Sequence, residues 1–390
     1  MTEGPIKVLT AVWQTEVGDA VAEQIEAFRH FDRDAVQVDF LISSQFEGRY
    51  DAVIRECGGR VVLGKDSSRG RRNLRELAAI NGQFGPYDVV HSHRYSHYRG
   101  VALLDAAERL HIPVRIAHTH FIPPFEQVGL SRMFSRIKSS MARRSYTHGL
   151  ANTQAAALDF FGPGWERDPR VRVLPPACDY DLMPNTEGKP DESAARRSEF
   201  LLACVSDYTN LLDLAFTLSV ADELRKSNAN FRLAMIGDGP LQTLIRQQVR
   251  FAGLSEHVMF VDVDDMADVL QRTDAMLTPA SHALLSSSVL QAQAAGVPCF
   301  LSDLVCDEAS VVESLVHRFQ QQDGPEACAT CIERFASKKR ISAADRERAR
   351  RLCRESGRDV RDYARQLHGI YAQCHPWAQQ TVVNRGSLVP

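Results

Sequence analysis

"SHALLSSSVLQAQAAGVPCFLSD", Ser281–Asp303, couples a helix beginning near Ser287 to a short strand, "PCFLS" at 298–302. An amphipathic segment running directly into a brief apolar one is the repeat of parallel strands covered by helices. The same unit recurs on both sides. Toward the amino terminus lie "FLLACVS" (200–206), "FRLAMIG" (231–237), "VMFVDV" (258–263) and "AMLTPA" (275–280), which with 298–302 predict one sheet. Further upstream, "IKVLTAV" (6–12), "VQVDFLIS" (36–43), "RVVLG" (60–64), "DVVHSH" (88–93), "VRIAHTH" (114–120), "HGLANT" (148–153) and "VRVLPPA" (171–177) predict another. Helical stretches such as 18–30 and 71–84 fall between them.

Between Met183 and Arg197 apolar content drops while Pro, Gly and charge rise, which is linker composition. The predicted organisation is therefore a Rossmann-like domain over 1–182, a linker over 183–197 and a second Rossmann-like domain over 198–355. A carboxyl-terminal helix over 356–385 would cross back to the first domain, within a charged helical stretch running from Ile341 to Gln373. Residues 386–390, "GSLVP", read as a tag remnant.

A chain of 390 residues exceeds one ordinary domain. With 44% hydrophobic and 24% charged residues it has soluble globular composition, and a formal charge of −3 gives no overall field for nucleic acid. No signal peptide and no apolar run of membrane-spanning length is visible, so a cytoplasmic location is expected. Nine cysteines are scattered; Cys328 and Cys331 in "CATC" form one close pair, read as reduced thiols in a helical segment.

Open parallel sheets bind ligands beyond the carboxyl ends of their strands, so the residues just after each strand carry the chemistry. "GDGP" (237–240) follows one such strand, and its Gly237 and Gly239 permit a tight turn into a helix beside free backbone N–H groups. Taken in order, "IGDGPL…AGLSEHVMFV", "VLQRTDAMLTPA" and "LQAQAAGVPCFLSD" resemble the carboxyl-terminal half of the family 4 glycosyltransferases, retaining enzymes of the GT-B fold. The segments "YDVVHSHRY", "RIAHTH" and "LANTQAA" are similar to the acceptor domain of the branch that builds capsules and exopolysaccharides. The resemblance spans about residues 6 to 315.

The resemblance implies two doubly wound domains, a nucleotide-sugar donor, a glycan or lipid-linked acceptor, and neither metal nor other cofactor. It places His120 near the reaction centre as the catalytic candidate. It places Gly18, Gly237, Asp238, Gly239, Val263, Ser286, Ser287, Ser288 and Gln291 at the donor, and His93, Arg94 and Tyr95 on the acceptor side. A core role for one of His118 and His120, on opposite sides of their strand, stays open. "HSHRYSHYRG" (91–100) lacks the helical spacing of a metal site. Phe121, Ile122, Phe125 and Met133 lie in a segment that could meet a membrane or a partner such as a second glycosyltransferase.

At four positions the sequence departs from that family. A leaving diphosphate gathers negative charge that cations and helix N-termini should meet. Where relatives carry an Arg and a Lys, this chain has Asp207 and Thr209, after Ser206; where they carry two glutamates, it has Ala283 and Gln291. At about 1.5–3 kcal/mol per lost charge-assisted contact, four losses amount to at least about a thousandfold in donor binding. The alternative reading is accordingly a non-catalytic relative that binds a partner, a glycan or a nucleotide.

Overall fold

The computed structural model describes residues 4–12, 19–42, 48, 50–64, 70–93, 97–120, 144–181, 199–280, 287–337 and 342–373; for 19–22, 70–72 and 97–100 the backbone alone is described. The chain forms two compact units, Met1–Pro176 with Val360–Pro390, and Ala177–Asp359. The region read as a linker lies outside the described residues, as does the stretch from 374 to 390.

Unit 1 is a parallel sheet of β1 (Ile6–Val12), β2 (Val36–Ile42), β3 (Val61–Leu63), β4 (Val89–Ser92), β5 (Val114–Thr119), β6 (His148–Ala151) and β7 (Val171–Val173), in the order β3-β2-β1-β4-β5-β6-β7. Strands β1, β4 and β5 are buried on both faces, the pattern of a parallel sheet with helices on each side. Those helices include α1 (Asp19–Arg29), α2 (Asp51–Glu56), α3 (Gly70–Phe84), α4 (His97–Arg109) and α5 (Gln154–Phe161). Leu9, Leu41, Val90, Leu103, Ala117 and Phe161 share its core. Strand order reverses between β1 and β4, which opens a crevice at their carboxyl ends.

Unit 2 repeats the design with β8 (Phe200–Val205), β9 (Phe231–Ile236), β10 (Val258–Val261), β11 (Ala275–Thr278), β12 (Cys299–Ser302) and β13 (Val316–Phe319), ordered β10-β9-β8-β11-β12-β13 and parallel throughout. Its helices are α6 (Leu211–Lys226), α7 (Gln242–Phe251), α8 (Met266–Arg272), α9 (Ser287–Ala294), α10 (Gly324–Ala336) and α11 (Ala343–Glu355). Leu233, Met235, Leu277, Phe300 and Ile332 fill one side of the sheet, and Met276, Val289 and Leu301 the other. The switch point lies between β8 and β11. Strand β13 has no counterpart in the sequence reading, because as an edge strand it is only partly buried and "VHRF" shows no apolar run.

The charged carboxyl-terminal stretch divides into α11 and α12 (Val360–Gln373), separated at Gly357, whose φ of 73° suits glycine. α12 belongs to unit 1, where Tyr363 bonds the Gln24 amide and Tyr371 meets the Phe31 ring edge-on at 6.1 Å. Cys328 is buried in α10 and burial pushes its thiol up to about 12, whereas Cys331 is exposed; neither is disulfide-bonded. Among the described residues no helix is long and apolar enough to cross a membrane.

Candidate functional site

In unit 1 the ends of β4 and β5 converge on four imidazoles. The parallel register sets His91 opposite Ile116 and Ser92 opposite Ala117, so the next pair is His93 and His118. Residues two apart on a strand point to one face. His91 and His93 therefore share a side, and so do His118 and His120. This corrects the expectation that His118 and His120 take opposite sides: their rings lie 4.1 Å apart, centroid to centroid.

Three of the four rings are fully buried and His120 is partly exposed. A chain of bonds runs through them: Tyr371 Oη to His91 Nδ1 at 2.7 Å, His91 Nε2 to His118 Nδ1 at 3.2 Å, and His118 Nε2 to Asn152 Oδ1 at 2.8 Å. A second bond joins His93 Nδ1 to His120 Nε2 at 2.8 Å. The far nitrogen of His93, Nε2, is buried and has no hydrogen-bond partner among the described residues. Burial, reinforced by neighbouring imidazoles, holds His91, His93 and His120 well below the usual histidine range. For His118 burial lowers the value to about 3 despite the opposing bond from Asn152.

One ring nitrogen from each of His91, His93 and His118 lies within 4.8 Å of the others, a spacing that could hold a metal ion. The cluster arises from two His-x-His pairs at the ends of neighbouring strands.

In unit 2 the crevice is shaped by close backbone approach. Gly237 has φ 132°, and a Cβ there would fall 1.9 Å from the Ser206 carbonyl oxygen; at Gly239 it would fall 1.9 Å from that of Asp207. Only glycine lets the turn after β9 lie against the turn after β8. The latter is itself tightly wound: Tyr208 adopts φ 50° with its ring fully buried, and the Leu241 N–H donates to its carbonyl at 3.0 Å. Asn210 caps α6, its side-chain oxygen accepting from the Leu212 N–H at 3.0 Å.

Asp207 and Thr209 are exposed. The Asp207 carboxylate accepts from the Thr209 N–H at 3.1 Å and hydroxyl at 2.7 Å, so it is turned onto its own loop. Asp238 is exposed and accepts from the Gly239 N–H at 2.7 Å. Val263 opens a short 3-10 turn after β10, partly buried. Ser287 and Ser288 begin α9, the second buried. One turn on, Gln291 Oε1 is buried and without a partner among the described residues, as is Thr278 Oγ1 at the end of β11.

Gln293, two residues beyond, behaves oppositely. Its amide donates to Val289 O and Ala309 O, and its oxygen accepts from the Val311 and Val312 N–H groups at 3.0 and 2.8 Å. That uses both donors and both lone pairs, so Gln293 ties α9 to the 309–312 loop. The structure thus brings Ser206, Asp207, Thr209, Gly237, Asp238 and Gly239 together at the β8–β9 strand ends, and His93 with His120 in unit 1. Gly18, Arg94, Tyr95, Ala283 and Ser286 lie outside the described residues, as do the apolar positions 121–133.

Two doubly wound parallel sheets, each with its polar groups gathered beyond the strand ends, define a GT-B-type fold, and residues 187–353 match the family model of the Glycosyl transferases group 1. It is similar to the putative glycosyltransferase EpsF of Bacillus subtilis strain 168, at 28% identity over 354 residues covering 86% of this chain and 89% of that protein. Among solved structures, Anabaena HepE in complex with UDP and glucose superposes with a TM-score of 0.75 at 15% identity, covering 94% of this chain and 99% of that one. A glycosyltransferase from Rickettsia africae does so with a TM-score of 0.73 at 13% identity, covering 95% and 98%.

Proposed function

We propose that this chain transfers a sugar from a nucleotide-sugar to a glycan or lipid-linked acceptor during assembly of a bacterial surface polysaccharide, at the cytoplasmic face of the membrane. The observation that carries the reading is the switch point of unit 2. There Gly237 and Gly239 hold two turns in backbone contact, while Thr278 and Gln291 each keep a buried oxygen without a partner among the described residues. Buried polar atoms of this kind fit a polar ligand. Likeness to EpsF supports polysaccharide assembly, and the UDP and glucose bound to HepE support the donor class.

In this reading the nucleoside diphosphate lies at Ser206, Gly237 and Gly239, whose backbones can approach it closely, and Gln291 accepts from a ribose hydroxyl. His120, its Nε2 bonded to His93, is the catalytic group. Arg94 and Tyr95 face the acceptor while the buried His93 holds His120, and Gly18, Val263, Ser286, Ser287 and Ser288 complete the donor contacts. The grip on the diphosphate is weak, because Asp207 and Thr209 stand where a positive pair would act.

That same carboxylate favours a second reading, a non-catalytic relative whose scaffold serves a partner enzyme or a glycan. Release of nucleoside diphosphate from a panel of nucleotide-sugars, with and without a lipid-linked saccharide, separates the two. Sugar transfer predicts acceptor-dependent release that falls about 10²–10⁴-fold in His120→Ala. No consumption of any donor would overturn it in favour of the second reading.

A further inference from the structure

We propose that His91, His93 and His118 form a binding site for one divalent transition-metal ion of the zinc class inside unit 1. The nitrogens are gathered within 4.8 Å of one another, so small ring rotations bring the set to ligand spacing. His91 Nε2 and His118 Nδ1 are 3.2 Å apart, close to the edge of about 3.4 Å of a tetrahedron whose metal–nitrogen bonds are about 2.0–2.1 Å.

Two outer partners orient the rings. Asn152 Oδ1 takes the His118 Nε2–H, which leaves the Nδ1 lone pair directed at the cluster. Tyr371 holds the outer nitrogen of His91; its hydroxyl can donate to a bare Nδ1 or turn and accept from a protonated one, so His91 Nε2 is free to become a ligand.

A purely structural role accounts for part of this arrangement. The chain Tyr371–His91–His118–Asn152 is satisfied with all rings neutral. It does not account for His93, whose Nε2 is buried with no hydrogen-bond partner among the described residues, in van der Waals reach of the His91 ring at a centroid distance of 3.9 Å. An orphaned buried nitrogen is costly and calls for an occupant. An imidazole-only donor set selects zinc, copper or nickel over magnesium and calcium, which prefer oxygen. Three neutral nitrogens leave a fourth position for a solvent oxygen or for His120, the partly exposed member of the four.

The test uses the full chain without an affinity tag, stripped with chelator, given zinc chloride and desalted. One equivalent of zinc per chain is expected to remain, with an X-ray absorption spectrum showing imidazole nitrogens at about 2.0 Å and no sulfur shell near about 2.3 Å. Asn152→Ala, which leaves all three ligands, is expected to weaken zinc about 10–100-fold, and His93→Ala and His118→Ala to abolish stoichiometric retention. Retention below about a tenth of an equivalent would overturn the proposal, as would a sulfur shell from cysteine, or zinc affinity unchanged in both histidine variants. Should those variants fail to fold, the unmodified protein's metal content and nitrogen shell decide alone.

Discussion

Gly237→Ala tests whether the donor-side crevice is set by backbone contact. The new methyl would fall 1.9 Å from the Ser206 carbonyl oxygen and 3.0 Å from its carbon, at φ 132°. Two costs combine. The backbone conformation penalises any side chain by about 1–3 kcal/mol. The turn after β8 must also retreat by more than about 1 Å in a close-packed interior, at about another 1–3 kcal/mol for such overpacking. Gly253→Ala supplies the control, because Gly253 also has positive φ, 68°, but nothing within 4 Å of its would-be Cβ. Urea unfolding followed by circular dichroism should show Gly237→Ala losing at least about 2 kcal/mol and Gly253→Ala only about 1. Equal losses in the two variants would refute the contact argument, since strain at φ alone would then explain both.

Three further outcomes follow from the same geometry. Gln293→Leu strands the buried Val312 and part-buried Val311 N–H groups and should destabilise unit 2 by about 3 kcal/mol in the same unfolding experiment; a loss under about 1 kcal/mol would mean those groups find other partners. Gln291→Glu puts a charged acceptor where a neutral one has no partner among the described residues, and should tighten nucleoside diphosphate binding about tenfold by calorimetry, a gain that combining it with Ala283→Glu should extend; no change would mean the pocket is remodelled elsewhere. In the chelated, metal-free protein the clustered histidines bind protons in the unfolded chain below about pH 6.5 but not in the folded one. Stability is therefore fully present above about pH 6.5 and falls with decreasing pH by up to about 1.4 kcal/mol per pH unit for each histidine, down to about pH 3 for His118. Melting temperatures that stay flat from pH 7 to about pH 5 would contradict this.

Much of the fold was legible because parallel strands buried on both faces read as continuous apolar runs, such as "FLLACV" in β8 and "LAMI" in β9. The edge strand β13 was not, since only its last residue is buried. The Gly237–Gly239 turn could be read as a ligand-side loop, but the reason for its glycines could not: the atoms they avoid belong to Ser206 and Asp207, about thirty residues upstream. Local text likewise hid the histidine cluster. His91 and His118 meet only through the β4–β5 register, a contact between distant positions. In "QAQAAG" packing separates the two glutamines: Gln293 is saturated by the fold, whereas Gln291 keeps an oxygen without a partner among the described residues.

Calorimetric titration of nucleoside diphosphates tests the central claim most directly, which is that unit 2 holds a donor with a weakened grip. Saturable one-site binding is predicted for at least one base, with Kd near about 10⁻⁴–10⁻³ M, or about −4 to −5.5 kcal/mol, weakened further in Gly237→Ala. Absence of saturable heat for every base would contradict donor binding, and a Kd at or below about 1 µM would contradict the loss of diphosphate contacts inferred at Asp207 and Thr209.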